Sequence, residues 1–455
     1  MNFYSLLNRR AAEHRPVRIG VIGAGKFASM FLSQARLTPG FQIVGIADID
    51  RQKARQACLK TGWEEERLDF AEKTGAVNDL ARSKKTAITA DAAVLIESEL
   101  DVILEITGVP EAGTAHAVKA FEHQKHVVMV NVEADCLLGP VLRQKADAAG
   151  CVYSMAYGDQ PALIAEQVDW ARTVGLDVVC AGKGTRYQPQ YHYSTPETVW
   201  SHYGFSEQQV ASGDYNAQMF NSFLDGTKSA IEMCAVANAC ALMPQRSGLQ
   251  FPPVGTDDLQ QVLKPVSAGG ILERSGTVEV IASEKRDGSP VTNDLRWGVY
   301  VVFEAPTDYV QRCFAEYGLR TDTTGKFAAL YRPYHFIGLE LGISAASAVL
   351  RGEPTGSSLD FNADVAAVAK KDLTPEDILD GEGGYTVFGR LVRAADSLKN
   401  AYLPMGLTGN ARMARHVAKD AILTYSDVVL DETLLSCRLR RSMEKMQAGG
   451  PNRIM

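Results

Sequence analysis

The chain has 455 residues, 46% of them hydrophobic and 22% charged, and its net charge at pH 7 is −7. This length predicts two to four domains, and the acidic balance, without any basic stretch, argues against a nucleic-acid partner. The sequence contains no run of about 18 apolar residues, so no membrane span is predicted. The cysteines are scattered and include no CxxC pair, which predicts free thiols and a cytoplasmic location. The first 16 residues lack the apolar segment of a signal peptide, so we expect a short amphipathic helix there.

A glycine-rich turn follows the first predicted strand, Val17 to Ile22. A helical pattern comes after this turn, and a second predicted strand, residues 42–47, ends at Asp48. This order is typical of a dinucleotide-binding βαβ unit, in which the first glycine permits the tight turn and the second lets the backbone approach a pyrophosphate. Asp48 lies 23 residues after Gly25, where an acid is expected to bind a ribose 2′-hydroxyl. The predicted cofactor-binding residues here are Gly23, Gly25, Lys26, Phe27, Ala28 and Asp48.

Strands and helices alternate from residue 15 to about 155, which predicts a doubly wound parallel sheet. Residues 61–85 are polar and are expected to form a surface insertion. The strand from Leu100 ends at Thr107 and Gly108, and we expect both beside the cofactor because the carboxyl ends of parallel strands face the ligand crevice. The next strand, residues 126–130, leads to Glu133, with the following helix predicted from Pro140.

The pattern changes after residue 160. A helix over 162–173, a strand over 177–181 and a basic glycine-rich loop over 182–187 are predicted, followed by polar lining loops over 187–217 and a helix over 221–242. Further predicted elements are strands at 276–283 and 296–303, a helix at 334–349, short strands at 364–369, 403–407, 421–423 and 428–430, a strand–turn–strand within 370–389, and a charged helix near 432–446. The predicted fold class is α/β, with a Rossmann-type domain (1–157), a central α+β catalytic and dimerisation domain (158–358) and a small all-β module (359–455).

Two carboxylates are candidates for the chemistry of a nicotinamide enzyme, which needs a proton donor or base at the reacting oxygen. Glu133 follows a strand at the crevice edge, and its alternative role is to stabilise a helix N-terminus. Asp159 lies in a Gly-Asp-Gln-Pro turn after a buried strand, a position suited to a metal ion or to substrate hydroxyls. Its alternative role is to cap the helix that begins near Pro161.

Basic candidates lie farther along the chain. Lys183 and Arg186 are in the predicted glycine-flanked loop, where they would meet an anionic substrate unless they are solvated surface charges. Lys228 begins an apolar helix, where the dipole disfavours a cation unless an anion lies there, which favours a functional role. His192, between two tyrosines, is a candidate substrate ligand. The eight histidines show no HxH, HxxxH or HExxH spacing, which argues against a zinc site built from histidines.

Several stretches resemble the 1-deoxy-D-xylulose 5-phosphate reductoisomerase-like family. They cover nearly the whole chain, and YGDQPA and FLDGTK are specific to that group; the stretches are VRIGVIGAGKFASMFLSQ, VVMVNVEADCLLGP, YSMAYGDQPALIAEQVDWAR, CAGKGTRY, NSFLDGTKSAIEM, LRWGVYVVFEAP and KKDLTPEDILDGEGGYTVFG. The family is related in fold to homoserine dehydrogenases, and its C-terminal module resembles a SAF (β-clip) domain. Because Glu133 stands where homoserine dehydrogenases carry a lysine, homoserine oxidation is not expected.

The resemblance implies a homodimeric enzyme that uses NADPH and Mn²⁺ or Mg²⁺ to convert 1-deoxy-D-xylulose 5-phosphate to 2-C-methyl-D-erythritol 4-phosphate, in isoprenoid precursor synthesis. It implies that Asp159, and with it Glu133, holds the metal or moves protons. It also implies that Lys183, Arg186 or Lys228 binds the phosphate and polarises the carbonyl.

The cofactor and the substrate have alternatives. Asp48 by itself favours NAD through its contact with a 2′-hydroxyl, whereas Arg51 and Lys53 could accommodate the 2′-phosphate of NADPH. A second interpretation is an NAD(P)-dependent oxidoreductase or oxidoisomerase of another polyhydroxylated sugar or acid. A third is a non-catalytic redox-sensing protein, against which the basic loop and Lys228 argue because a sensor needs no second anion site. The expected partners are a phosphorylated sugar and a second copy of the chain, with no nucleic acid and no membrane.

Overall fold

The computed structural model describes residues 2–212 and 215–448. These residues form two compact units. The amino-terminal unit comprises residues 2–162 together with Phe336–Ser357, and the carboxyl-terminal unit comprises Leu163–His335 together with residues 358–448. The predicted domain limits of 1–157, 158–358 and 359–455 stay predictions.

The first part of the chain alternates between helices and strands. Its elements are α1 (Phe3–Ala12), β1 (Val17–Ile22), α2 (Lys26–Ala35), β2 (Phe41–Ala47), α3 (Arg51–Lys60), β3 (Leu68–Phe70), α4 (Thr74–Arg82), β4 (Thr86–Thr89), α5 (Ala92–Ile96), β5 (Val102–Glu105), α6 (Pro110–Glu122), β6 (His126–Met129), α7 (Val132–Ala148), β7 (Tyr153–Met155) and α8 (Gln160–Thr173).

The second part has longer connections between its elements. They are β8 (Asp177–Thr185), α9 (Val199–Tyr203), α10 (Glu207–Ser212), α11 (Ala217–Leu224), α12 (Thr227–Cys240), α13 (Leu259–Val262), β9 (Thr277–Ala282), β10 (Val299–Glu304), α14 (Asp308–Glu316), β11 (Phe327–Arg332), α15 (Gly342–Arg351), β12 (Ala363–Ala369), β13 (Val387–Arg393), α16 (Ala394–Asn400), β14 (Arg412–Met413), β15 (Val428–Val429) and α17 (Leu435–Ala448).

The amino-terminal unit is built on a seven-stranded sheet with the order β3-β4-β2-β1-β5-β6-β7. Every paired strand is parallel, and both neighbours of β1 are reached by crossovers in opposite directions, so the predicted doubly wound sheet is confirmed. The central strands are mainly apolar because helices cover both faces of the sheet, as the buried Ile19, Ile46 and Leu104 illustrate. The prediction of a plain surface insertion over 61–85 is wrong, since this segment contains α4 and adds β3 to the sheet edge.

A late segment of the chain returns to this unit. Helix α15 packs against β1, β5, β6 and β7, and Leu341 and Ala345 join the core of the sheet. Ser344 anchors it by accepting the Tyr157 N–H at 2.7 Å through its hydroxyl oxygen. The helix predicted over 334–349 therefore begins later than expected, at Gly342.

The carboxyl-terminal unit contains a mixed sheet with the order β11-β10-β8-β9, in which only β8 and β9 are parallel. Strand β8 continues to Thr185, so the predicted loop over 182–187 is wrong for residues 182–185, while residues 186 and 187 lie outside the strand. A Cβ on Gly182 would lie 1.8 Å from the Glu279 carbonyl oxygen, and one on Gly184 would lie 2.0 Å from that of Leu295. The two glycines therefore allow neighbouring backbone to approach the strand closely. In the sequence, the same glycines had indicated a loop.

Helix α12 lies at the centre of this unit. It contacts β8 and β9 as well as β12 and β13, and all its residues except Lys228 and Ala239 are buried. A helix buried on all sides shows no single apolar stripe, which is why its period was weak in the sequence. The predicted helix over 221–242 is in fact two helices, because Gly226, at φ +87°, breaks it between α11 and α12.

The region after residue 358, predicted as a small all-β module, contains two small antiparallel pairs, β12 with β13 and β14 with β15. The α/β fold class, with its Rossmann-type sheet and carboxyl-terminal β structure, is confirmed. The strands predicted at 403–407 and 421–423 are replaced by a short 3-10 turn at Met405–Leu407 and isolated bridges. Among the described residues no helix is long and apolar enough to cross a membrane, and all eight cysteines are free.

Candidate functional site

The glycine-rich turn joins β1 to α2 at the carboxyl edge of the parallel sheet. Gly23 has φ +99°, and a Cβ there would lie 2.9 Å from the Ile106 carbonyl oxygen, so only glycine fits without strain. Gly25 caps α2, and a Cβ on it would meet no atom within 4 Å. The first turn of α2 leaves N–H groups without intrahelical acceptors, so this turn fits the pyrophosphate of a dinucleotide.

Asp48 follows β2 and is tied to the same turn. Its Oδ2 accepts the Ala24 N–H at 2.8 Å, and its Oδ1 accepts the Asp50 N–H at 2.9 Å. Each carboxylate oxygen has a second lone pair, which leaves Asp48 able to accept a ribose hydroxyl. Ala28 is fully buried against the sheet, whereas Lys26 is exposed and Phe27 half-buried at the start of α2.

A buried polar network supports Thr107 at the end of β5. The Thr107 hydroxyl donates to Glu105 Oε1 at 2.6 Å and accepts from Asn131 Nδ2 at 3.2 Å. Glu105 Oε1 also contacts His116 Nδ1 at 3.1 Å, while its Oε2 is buried without a hydrogen-bond partner. Glu105, His116 and Asn131 were not predicted as site residues because three different elements supply them. Gly108 follows with φ +69°, where glycine is favoured.

The two candidate carboxylates both lie near helix starts. Helix α7 begins at Val132, not at the predicted Pro140, so Glu133 lies in its first turn and Asn131 caps it by accepting the Ala134 N–H at 3.1 Å. Asp159 Oδ1 accepts the Gln160 N–H at 2.9 Å, and the preceding Gly158 is pressed against the Phe336 carbonyl oxygen. Both side chains are half-buried.

The metal ion that the resemblance implies does not fit the side chains present. Among the described residues, no three His, Cys, Asp or Glu side chains cluster as metal ligands do. A metal ion at Asp159 would therefore need further ligands from outside the described residues.

Lys183 forms a buried ion pair in the carboxyl-terminal unit. It projects from β8 to Glu232 on α12, and the two side chains are 3% and 2% exposed. Burial at this level requires a partner for each charge, since an unpaired charge would be strongly destabilising. Lys183 is thus neither a loop residue nor a solvated surface charge.

Arg186 lies just beyond β8 and faces another carboxylate. Its Nε is 2.8 Å from Glu284 Oε1, and Glu284 Oε2 accepts the Tyr191 hydroxyl at 3.2 Å. Arg186 is therefore already neutralised by a carboxylate, which weakens it as a ligand for a substrate phosphate.

His192 is held in one tautomer. Its Nδ1 lies 2.7 Å from the Asp225 carbonyl oxygen and must donate to it, so Nε2, 2.9 Å from the Tyr187 hydroxyl, accepts. Burial lowers the pKa of His192, which favours this neutral form. Its ring stacks on Phe388, with the centroids 4.6 Å apart.

Asp225 and Lys228 flank the break between α11 and α12. Asp225 is fully buried, accepts the Thr227 N–H at 2.9 Å and pairs with Lys370 at 2.7 Å. Burial raises the pKa of Asp225, although the Lys370 charge acts in the opposite direction. Lys228 is half-buried in the first turn of α12, a turn that contains no acidic residue. The sequence had indicated Lys228 but not Asp225 or Lys370.

Within each unit the predicted residues cluster. In the amino-terminal unit, the glycine turn, Asp48 and Thr107-Gly108 share the carboxyl edge of the parallel sheet. In the carboxyl-terminal unit, Lys183, His192 and Lys228 are organised around the start of α12: Glu232 lies one turn after Lys228, and Asp225 three residues before it.

Two family models match the chain. Residues 17–129 match an oxidoreductase family described by its NAD-binding Rossmann fold, and residues 158–341 match the catalytic domain of oxidoreductase DRL. A comparison with curated proteins found no match.

Similar solved structures include several dehydrogenases at low identity. A probable dehydrogenase from Thermotoga maritima is 14% identical over 74% of this chain and 90% of its own, with a TM-score of 0.36. Scyllo-inositol dehydrogenase from Lactobacillus casei is 10% identical over 69% of this chain and 76% of its own, with a TM-score of 0.33. Myo-inositol dehydrogenase from the same organism is 16% identical over 41% of this chain and 50% of its own, with a TM-score of 0.27. This chain therefore spans half of that protein's length. Such scores support no functional conclusion. The two family matches, with the glycine turn, support the assignment of this chain as an NAD(P)-dependent, DRL-like oxidoreductase.

Proposed function

We propose that the chain is an NADPH-dependent reductoisomerase that converts 1-deoxy-D-xylulose 5-phosphate to 2-C-methyl-D-erythritol 4-phosphate. The observation that carries the proposal is the match of residues 158–341 to the DRL catalytic domain. This range includes Lys183, Arg186, His192 and Lys228, and it agrees with the resemblance of the FLDGTK stretch. We further propose that the enzyme is a cytoplasmic homodimer whose last residues form a SAF-like module, as the resemblance implies.

The cofactor is assigned to the glycine turn of the amino-terminal unit. Gly23 and Gly25 would admit the pyrophosphate at the start of α2, Asp48 would bind the adenosine ribose, and Thr107-Gly108 would border the crevice. When bound, the nicotinamide supplies the hydride that reduces the rearranged aldehyde. NADPH is proposed over NADH because of the resemblance, with Arg51 near Asp48 as the candidate ligand of the 2′-phosphate.

Lys228 is the proposed ligand of the substrate phosphate. It is half-buried in the first turn of α12, where the helix dipole also favours an anion. Lys183 and Arg186 each face a carboxylate, Glu232 and Glu284 respectively. Lys183, held in place by its buried ion pair with Glu232, is the proposed group that stabilises a developing alkoxide. Glu133 is the proposed proton-transfer group.

The proposal is tested by following the loss of NADPH absorbance with purified protein and 1-deoxy-D-xylulose 5-phosphate, with Mn²⁺, with Mg²⁺ and with chelator. We expect turnover, and we expect Lys228→Met to raise KM for the sugar phosphate about tenfold or more, because a hydrogen bond to a charged group is lost. Lys399→Met, an exposed lysine of the same unit, is the matched control. Asp159→Asn with unchanged turnover and metal response would exclude the expected role of Asp159 as a metal ligand or proton-transfer group. Oxidation of an unphosphorylated polyol, without reaction of the deoxyxylulose phosphate, would replace the reductoisomerase by the alternative oxidoreductase.

A further inference from the structure

The residue after strand β12 is a buried lysine. Lys370 is 5% exposed, and its ammonium group donates three hydrogen bonds: to Asp225 Oδ2 at 2.7 Å, to the Ser194 carbonyl oxygen at 2.9 Å and to the Gly384 carbonyl oxygen at 2.7 Å. An ammonium group has three N–H donors, so all of them are used. Lys370 thus serves as a fully coordinated cation inside the carboxyl-terminal unit.

The three acceptors belong to three separate segments. Asp225 immediately precedes the Gly226 turn that begins α12, Ser194 follows the 3-10 turn that carries His192, and Gly384 lies in the glycine-rich stretch before β13. One side chain therefore joins the region after residue 358 to both segments that carry candidate substrate ligands.

Asp225 links Lys370 to the start of α12 and to His192. Its Oδ1 accepts the Thr227 N–H at the start of α12, and its carbonyl oxygen accepts the His192 Nδ1–H. A second link from the same region is the Gly389 N–H, which donates to the Thr227 hydroxyl at 2.8 Å. The turn before Lys228 is consequently held from β12 and β13, the strands on which α12 packs.

Loss of the Lys370 charge would leave the Asp225 carboxylate buried without its cationic partner. A buried carboxylate in that state takes up a proton or draws in water, and either change alters its bonds to the turn. Gly226, at φ +87° and with His192 in contact with the position of its missing Cβ, leaves little space for the turn to adjust locally.

We propose that Lys370 is a positioning residue, through which the region after residue 358 orients the Asp225–Lys228 turn and His192 of the substrate-binding site. The substrate role of this site rests on the proposed function, but the orientation of His192 does not. In this role the carboxyl-terminal β structure completes the catalytic domain.

The test compares Lys370→Met and Lys370→Arg with Lys371→Met, the adjacent exposed lysine. In Lys370→Met we expect kcat/KM for the sugar phosphate to fall on the order of 100-fold, as small misplacements at active sites do. The NADPH dissociation constant should stay unchanged, because the glycine turn belongs to the other unit. We expect partial recovery in Lys370→Arg and wild-type behaviour in Lys371→Met.

A second readout needs no activity. Nitrogen NMR of His192 should show one neutral tautomer, protonated at Nδ1, in the wild type and in Lys371→Met, and a mixture of tautomers or a changed pKa in Lys370→Met. An unaltered His192 spectrum in Lys370→Met would overturn the proposal whether or not the protein is a reductoisomerase. An altered spectrum in a protein that does not turn over the sugar phosphate would instead retain the positioning role and contradict the proposed function.

If Lys370→Met does not fold, the charge-neutral pair Asp225→Asn with Lys370→Met keeps the cavity filled without a buried charge. This double variant should fold and still show the disturbed His192 spectrum. A wild-type His192 spectrum in it would equally overturn the proposal.

Discussion

The two units build their candidate sites in different ways. In the amino-terminal unit the candidate site consists of backbone groups. They come from Gly23, Gly25 and the first turn of α2, which lie within six residues of one another. The carboxyl-terminal unit presents buried charges whose partners are far apart in sequence: Glu232 is 49 positions after Lys183, and Lys370 is 145 positions after Asp225. Local backbone geometry leaves a motif in the sequence, whereas long-range charge pairing leaves none.

Buried pairs recur throughout the carboxyl-terminal unit. Lys264 and Asp322 pair at 2.6 Å, and the fully buried Arg440 pairs with Asp364. Such pairs add little net stability compared with well-packed apolar residues, but loss of one partner costs about 3–5 kcal/mol. Lys183–Glu232 joins β8 to α12, Lys370–Asp225 joins the end of β12 to the turn before α12, and Arg440–Asp364 joins α17 to β12. The difference between the units can therefore be tested by removing one partner at a time.

The largest effect is expected where a side chain would enter the backbone of the mixed sheet. Gly182→Val would place its Cβ at the Glu279 carbonyl oxygen, and we expect no folded protein, or a loss exceeding about 4 kcal/mol, by chemical denaturation. Gly409→Ala, where a Cβ meets nothing within 4 Å, is the control. Full stability of Gly182→Val would restore the interpretation of residues 182–187 as a loop.

Lys183→Met should cost about 3–5 kcal/mol in the free energy of unfolding, because Glu232 would be left buried without its partner. The double variant Lys183→Met with Glu232→Leu should recover most of that loss. Its activity then separates two roles: a stable but inactive double variant assigns Lys183 to the chemistry, and a stable, active one makes the pair structural only.

Glu279 provides a pH test in the same unit. Burial raises its pKa to about 7 although Gln245 and three backbone N–H groups donate to it. The folded state therefore holds a proton that the unfolded state has released, so the free energy of unfolding falls as pH rises from about 4.5 to 7. At about 1.4 kcal/mol per pKa unit, the fall is up to about 3.5 kcal/mol.

The measurement is the denaturation free energy at pH 5 and at pH 7.5 for the wild type, for Glu279→Gln and for the exposed Glu316→Gln. Glu279→Gln should lose most of the pH dependence, and Glu316→Gln should keep it. Equal slopes for all three proteins would show that Glu279 is ionised throughout this range.

The smallest effect is expected on the choice between NADPH and NADH. Asp48→Asn removes a negative charge that would repel a 2′-phosphate, so the preference for NADPH over NADH should rise about tenfold, or about 1.4 kcal/mol. Dissociation constants of both cofactors measure it by fluorescence titration. Because Asp48 also accepts the Ala24 N–H, a parallel loss of both affinities would show that it shapes the turn and does not select the cofactor.

The βαβ unit was accessible from the sequence because its signals are local. The bounds of β1 agree with the prediction at both ends, and Asp48 stands at the end of β2 as its spacing indicated. By contrast, Gly182 and Gly184 predicted a loop although they lie in a strand, because the backbone that approaches them comes from residues more than 90 positions later.

By itself, the sequence determined the doubly wound sheet, the glycine turn with its acid, and the presence of basic candidates after residue 180. These features depend on periodicity and on the φ angles that glycine permits, which neighbouring residues encode. Only the tertiary structure decided which charges are neutralised, that Lys370 pairs with Asp225 in the turn before Lys228, and that α15 returns to the first sheet. Those outcomes depend on burial and on which distant segments meet, and no local pattern of residues specifies either.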